Sequence, residues 1–170
     1  MKRRTALLTS LALAAQPLRT AWAAPAQPGQ AVIWPDVSLL DGGSLSKDQL
    51  GSGPAVVVFW TTTCPFCRRH NQHVEKLHRA ALAAGLPLRV LGVARASDAA
   101  AVRRYAQQQG YSFPITLDHA PLAAALSERK MIPLTAVVDR QGRLKQVLAG
   151  EMFEEDLLEL LQLASSGARS

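Results

Sequence analysis

Two strongly apolar runs lie near the middle of the chain, and each is followed by a segment of helical periodicity. Residues 55–60 read AVVVFW and residues 88–94 read LRVLGVA. Short runs rich in β-branched residues are typical of strands buried on both faces of a parallel sheet. From residue 65 to Gly85, apolar positions recur every three or four residues, which predicts an amphipathic helix. The segment over 97–110 repeats that pattern, with Ser97 or Asp98 as the N-cap and Gly110 as the C-cap.

The remaining pattern completes an alternation of strands and helices. The predicted elements are a small hairpin over 37–45, a short strand within 113–118, a helix over 121–130, two strands joined by a turn at 139–142, and an amphipathic helix over 153–164. The order strand, helix, strand, helix, strand pair, helix predicts an α/β layer architecture with mixed strand directions.

The first 23 residues have the features of a cleavable secretory signal. A positive start (residues 2–4) precedes a short apolar stretch (residues 6–15) and the small-residue pattern AWA at 21–23. The alternative is a membrane anchor, but an apolar run of about 10 residues is too short for the ~20 that a bilayer requires. We therefore predict a signal over 1–23, a flexible start over 24–31 and one domain over 32–165.

Export would change both the charge and the redox setting. The signal contains four of the 19 basic residues and none of the 13 acidic ones, so the mature chain has a net charge of +2. A nearly neutral chain excludes nucleic acid as the expected partner. We expect a periplasmic location, reached by the general route or, given Arg3-Arg4, the twin-arginine route. Outside the cytoplasm, disulfides persist.

The two cysteines form a C-x-x-C pair where the first buried strand meets the first long helix. Cys64 and Cys67 are the chain's only cysteines. A disulfide between them closes a very small loop, so it removes little conformational entropy from the unfolded chain and stabilises the fold little. This favours a reactive pair over a structural disulfide. At a helix N-terminus, free backbone N–H groups and the helix dipole favour the Cys64 thiolate, the attacking species in disulfide exchange. Pro65 suits the first helical turn, and Phe66 adds apolar cover.

Two segments carry a resemblance to a known family. "VVVFWTTTCPFC" and "MIPLTAVVDRQGRL" resemble the periplasmic thioredoxin-like disulfide reductases of the TlpA type, relatives of the thioredoxins that serve cytochrome c maturation. The resemblance covers roughly residues 32–163 and implies a thioredoxin-like fold, a central mixed β-sheet with helices on both faces. It implies that Cys64 attacks and Cys67 resolves, and that Ile132-Pro133 is a cis-proline loop whose backbone pairs with an extended substrate. The predicted substrate-binding residues are Trp60, Pro65, Phe66, Ile132 and Pro133.

Three positions depart from the family pattern. Thr63 stands where a tryptophan is usual, directly before the first cysteine. Gln72 replaces a helix-kinking proline. Val58 replaces the buried acid of thioredoxins, which leaves no assigned proton acceptor for Cys67.

Other functions share some of these residues. A copper-handling protein would use Cys64 and Cys67 with histidines of the following helix, but no closed four-ligand set can be written. A peroxidase would need a proline four residues before Thr61, where Val57 stands. A binding module with a structural disulfide, a disulfide oxidase and an isomerase are further alternatives.

The sequence therefore favours a protein-disulfide reductase. We expect no metal and no cofactor beyond the Cys64–Cys67 disulfide. The expected partners are client proteins with disulfides or dithiols and a membrane thiol-disulfide electron donor, because a periplasm has no glutathione buffer. We expect a monomer.

Overall fold

A five-stranded mixed sheet forms the centre of the computed structural model, which describes residues 24–165. Its strands, in spatial order, are β5 (Ile115–Thr116), β4 (Arg89–Ala94), β3 (Ala55–Trp60), β6 (Leu134–Val138) and β7 (Leu144–Ala149). The strands β3, β4 and β5 are parallel, whereas β6 and β7 run antiparallel to their neighbours. A two-stranded hairpin of β1 (Val37–Ser38) and β2 (Ser44–Leu45) precedes the sheet. The predicted mixed sheet is confirmed.

Six helices connect or follow these strands. They are α1 (Lys47–Gly51), α2 (Pro65–Ala83), α3 (Ala99–Gln109), α4 (His119–Leu126), α5 (Glu154–Glu159) and α6 (Gln162–Ser165). The predicted ends of α3 are confirmed: the Asp98 side chain accepts from the Ala101 N–H, and Gly110 takes the left-handed conformation that glycine adopts without strain. Within residues 24–165, no helix is long and apolar enough to cross a bilayer.

Alternation along β3 divides the core into two halves. Val56, Val58 and Trp60 face one half, which contains buried residues of α2, α3 and α5. Ala55, Val57 and Phe59 face the other half, which contains buried residues of α1 and α4. The helices therefore cover both faces, as the thioredoxin-like interpretation predicts. The uninterrupted apolar run of β3 follows from burial on both sides.

The start of the described chain, residues 24–31, lies along the domain. The Ala26 N–H donates to the Ala125 carbonyl at 3.0 Å, and the Gly29 N–H donates to the Leu144 carbonyl at 2.7 Å. The physical reason is that β7 is an edge strand, whose free backbone groups can pair with a passing segment. The predicted signal over 1–23 lies outside the described residues.

Gly92 of β4 lies where two aromatic rings press against the strand. A Cβ atom there would lie 2.6 Å from Phe113 Cε2 and 3.1 Å from Trp60 Nε1, and both rings are buried. We expect Gly92→Ala to lower the free energy of unfolding by about 1–3 kcal/mol, because a packed core has no room for the methyl group. Urea unfolding checks this, with Gly51→Ala as the control, since its Cβ makes ordinary contact at 3.4 Å. Equal midpoints for wild type and Gly92→Ala would contradict the packing argument.

Candidate active site

Cys64 is the N-cap residue of α2. Its backbone is extended, and its Sγ accepts a hydrogen bond from the Cys67 N–H at 3.1 Å. Pro65 occupies the first helical position, where a backbone N–H would have no acceptor within the helix, so proline costs no hydrogen bond there. The positive end of the helix dipole adds to this hydrogen bond, and both stabilise negative charge on the sulfur of Cys64 in the reduced protein.

The two cysteines are joined in a disulfide, and their burial differs. Their Cα atoms are 5.2 Å apart. Cys64 is half-buried, whereas Cys67 is completely buried. A client protein can therefore reach Cys64, while Cys67 can be reached only from within the molecule. This asymmetry suits attack by Cys64 and resolution by Cys67.

The predicted proline loop precedes β6 and contains a cis peptide bond between Ile132 and Pro133. Ile132 is half-buried and the Pro133 ring is buried. Both line a groove of about 500 Å³ that also includes Phe66, Gly150, Glu151 and Phe153. The structure thus brings Phe66 and the proline loop together, whereas Pro65 is exposed and lines a different pocket, together with Cys64. Their binding of substrate stays a prediction.

The structure corrects the prediction that Trp60 contacts the substrate. Its side chain is completely buried, and its ring lies 5.8 Å from that of Tyr105 and 5.9 Å from that of Tyr111. A client protein cannot contact a residue enclosed in this way. The reason is that Trp60 is the last residue of β3 and points into the core half beneath α2. Trp60 therefore supports the site from below.

A connection between α2 and the segment after β7 was not predicted from sequence. The Met152 N–H donates to His70 Nδ1 at 3.1 Å, and His73 Nδ1 donates to the Met152 carbonyl at 3.1 Å. This assigns the proton of neutral His70 to Nε2, which donates to Thr135 Oγ1 at 3.0 Å. Two histidines on successive turns of α2 thus hold one backbone unit of the segment.

His70 is completely buried and neutral. Burial holds its pKa down at about 4, and the neighbouring His73 acts in the same direction, while Glu151 opposes them. The histidine periodicity was visible in the sequence, but its partners lie 65 and 82 residues away along the chain. Spacing alone could not identify them.

Among residues 24–165, the buried acid is Glu75 of α2, and the position of the thioredoxin acid holds Val58. Burial alone would raise the pKa of Glu75, but hydrogen bonds from the Ser112 hydroxyl and N–H and from Arg79 outweigh it and lower the pKa. Glu75 therefore stays ionised and ties α2 to the segment before β5. It is two helical turns from Cys67, and its oxygens are already bonded. We therefore do not assign Glu75 as the proton acceptor for Cys67.

The described part of the chain offers no set of metal ligands for the copper-binding alternative. Residues 24–165 contain no group of three or more His, Cys, Asp or Glu side chains placed to hold a metal ion. The sulfurs of Cys64 and Cys67 are bonded to each other, and both ring nitrogens of His70 are hydrogen-bonded to protein groups.

The proteins to which this chain is similar are consistent with an exchange-active cysteine pair. The Redoxin family profile matches residues 27–161. The thiol-disulfide oxidoreductase ResA of Halalkalibacterium halodurans is 27% identical over 124 residues, which are 73% of this chain and 69% of that protein.

Two solved structures show the same fold. A thiol:disulfide interchange protein of the thioredoxin family from Chlorobium tepidum TLS superposes with a TM-score of 0.70 at 23% identity, covering 83% of this chain and 99% of that one. A secreted thiol-disulfide isomerase from Corynebacterium glutamicum gives a TM-score of 0.68 at 22% identity, covering 76% and 83%. The chain therefore belongs to the Redoxin family, as a thioredoxin-like protein of the TlpA type whose chemistry is thiol–disulfide exchange.

Proposed function

We propose that the protein reduces disulfides of client proteins outside the cytoplasm, through a mixed disulfide at Cys64. The observation that carries the proposal is the unequal burial of the pair at a helix N-terminus. Cys64 accepts the Cys67 N–H and can be reached by a client, while Cys67 is enclosed. An extracytoplasmic, periplasmic location is supported by the predicted signal over 1–23 and by the secreted neighbour from Corynebacterium glutamicum.

The reaction has two exchange steps. The Cys64 thiolate attacks one sulfur of a client disulfide, forming a Cys64–client bond and releasing the first client thiolate. The Cys67 thiolate then attacks Cys64 Sγ, which forms the Cys64–Cys67 disulfide present in this structure and releases the second client thiolate. Two electrons pass to the client, and the released thiolates take up protons. A membrane thiol-disulfide donor would return the pair to its reduced form, since the periplasm has no glutathione buffer.

The client-facing surface around the cysteine pair consists of Pro65, Phe66, Ile132 and Pro133. The chain acts as a monomer, without nucleic acid, metal or cofactor. A disulfide oxidase would use the same two sulfurs in the opposite direction, so the direction of electron flow needs a measurement.

The reduction potential of the Cys64–Cys67 pair decides between these directions. We expect a value near or below about −220 mV, where the pair donates electrons, because the sequence resembles reductases. The measurement equilibrates the protein in glutathione and dithiothreitol buffers and counts alkylated thiols by mass. The Cys67→Ser variant is the control, because it cannot form the internal disulfide. A potential near about −120 mV would replace the reductase with an oxidase.

A further inference from the structure

Asn71 is a polar residue of α2 that is enclosed in the core. Its side chain is completely buried, and neither its amide nitrogen nor its amide oxygen forms a hydrogen bond with any residue of 24–165. A buried amide without a partner costs free energy, because it gives up its hydrogen bonds to water and gains none in return. Folded proteins retain few such groups, and a redox or catalytic role is one reason for retaining them.

The helix places Asn71 beside the resolving cysteine. Asn71 comes four residues after Cys67, and residues four apart on an α-helix are neighbours on one face, with Cβ atoms about 5–6 Å apart. Helical side chains lean toward the N-terminus of their helix, so the Asn71 amide leans toward Cys67. Both residues are completely buried, and Cys67 packs in the core half that contains Val56 and Val58. The amide and the sulfur therefore share the face of α2 that is turned to the sheet.

Two other polar groups of this core half do not satisfy the amide. Burial raises the pKa of Tyr111, and the nearby Asn71 amide opposes this with a smaller effect, but the Tyr111 O–H donates to the Arg68 carbonyl at 3.2 Å. Trp60 Nε1 can only donate a hydrogen bond, so it offers no acceptor for the amide N–H, and it lies beside Gly92 of β4. The N–H of the amide thus lacks an acceptor while the cysteine pair is oxidised.

Reduction of the pair creates an acceptor for this N–H. In the disulfide, the Cys67 sulfur is neutral and bonded to Cys64. In the reduced protein, Cys67 can ionise, and a thiolate accepts charge-assisted hydrogen bonds that are stronger than neutral ones. The amide gains its missing hydrogen bond only in the reduced protein, so it stabilises that form relative to the oxidised form.

We propose that the Asn71 amide donates a hydrogen bond to the Cys67 thiolate, and thereby raises the reduction potential of the pair and assists the resolving step. In that step, Cys67 Sγ bonds to Cys64 Sγ, the bond from Cys64 to the client breaks, and the proton lost by Cys67 is taken up by the client thiolate. An amide cannot accept this proton, so Asn71 stabilises the charge on Cys67 without acting as a base. The inference rests on exchange at the cysteine pair and holds for either direction of electron flow.

Equilibration of the Asn71→Leu variant in glutathione buffers tests the inference. Leucine resembles asparagine in shape but has no N–H to donate. We expect the equilibrium constant for reduction of the pair to fall about tenfold below that of the wild type, which corresponds to about 30 mV. As a second readout, ultraviolet absorbance reports the Cys67 thiolate in a Cys64→Ser background. There we expect Asn71→Leu to make the Cys67 thiol about tenfold less acidic, because its thiolate loses one hydrogen bond.

Three further variants make the result interpretable. Asn71→Ala cannot clash in the core and should show the same fall, so the test survives if Asn71→Leu does not fold. Gln72→Leu also replaces an amide of α2 by leucine, but Gln72 is exposed, and the constant should not change. Tyr111→Phe removes the neighbouring hydroxyl and should also leave the constant unchanged.

Two results would overturn the role of Asn71. One is a wild-type equilibrium constant in Asn71→Leu or Asn71→Ala, and the other is an equal fall in Tyr111→Phe, which would assign the effect to the tyrosine. The ratio of variant to wild type does not depend on the absolute potential of the pair. A wild-type potential in the range of an oxidase would therefore overturn the proposed reductase function and not the role of Asn71.

Discussion

Cys64→Ser should abolish protein-disulfide reduction, whereas Cys67→Ser should trap client proteins as mixed disulfides. The first change removes the sulfur that accepts the Cys67 N–H at the start of α2. A serine hydroxyl is not ionised there at neutral pH, so we expect the rate to fall roughly 10³-fold or more, to background. The second change keeps the attacking thiolate but removes the buried sulfur that completes the cycle.

The measurement has two readouts on one pair of variants. Turbidity or fluorescence of a model disulfide protein gives the rate for the reduced wild type and each variant. Non-reducing electrophoresis then shows whether the Cys67→Ser chain accumulates one-to-one adducts that dithiothreitol releases. The variants control for each other, because each loses one sulfur and neither can form the internal disulfide. Capture of nothing by Cys67→Ser, with Cys64 still reactive toward a small disulfide, would contradict the two-step mechanism.

The elements predicted most accurately are those whose pattern is set by local burial. The run over 55–60 is apolar at every position because both faces of β3 are covered, and that burial is visible in the sequence itself. The start of α2 carries its own signals, namely Cys64 as the N-cap residue and Pro65 in the first turn. The position of the cysteine pair at the junction of β3 and α2 could therefore be predicted from the sequence alone.

What could not be predicted depends on contacts between distant segments. The apolar run over 55–60 predicts a buried strand, but it does not show that the Trp60 ring is enclosed by Tyr105 and Tyr111, which lie much further along the chain. The short helix α1 was missed because its signal is only a capping box, in which Ser46 and Gln49 bond to each other's backbone. The bond from the Met152 N–H to His70 spans 82 residues, and no local pattern encodes such a partner.

Acid should destabilise the protein through His70, and this is the largest effect on stability that we expect. In the unfolded chain histidine has a pKa near 6.5, whereas burial lowers that of folded His70 to about 4. Between these values the unfolded state binds a proton that the folded state does not, so stability rises with pH and is lost as the pH falls. From pH 6.5 to pH 4 this loss amounts to about 3 kcal/mol, at about 1.4 kcal/mol for each pH unit.

The charged groups around His70 do not reverse that sign. His73, on the same helix, acts in the same direction as burial, and Glu151 opposes both, but the Glu151 carboxylate is already paired with Arg69. From β6, the neutral Thr135 hydroxyl accepts the Nε2–H, so no charge from the sheet compensates a proton on the ring. Protonating Nδ1 would also break the bond from the Met152 N–H, which loosens the segment leading to Phe153.

Urea unfolding at several pH values between 4 and 6.5 checks this, with His70→Gln as the variant that cannot titrate. Glutamine can accept from the Met152 N–H and donate to Thr135, so the variant should fold, and its stability should fall much less steeply with acid than that of the wild type. Subtracting the two curves removes the contributions of other groups, such as Glu75 and His78. His119→Gln, a change at an exposed residue of α4, should retain the full wild-type slope. Parallel curves for wild type and His70→Gln would mean that the buried imidazole does not control acid stability. The free energies of unfolding of the two proteins can depend differently on pH only if His70 takes up a proton on unfolding.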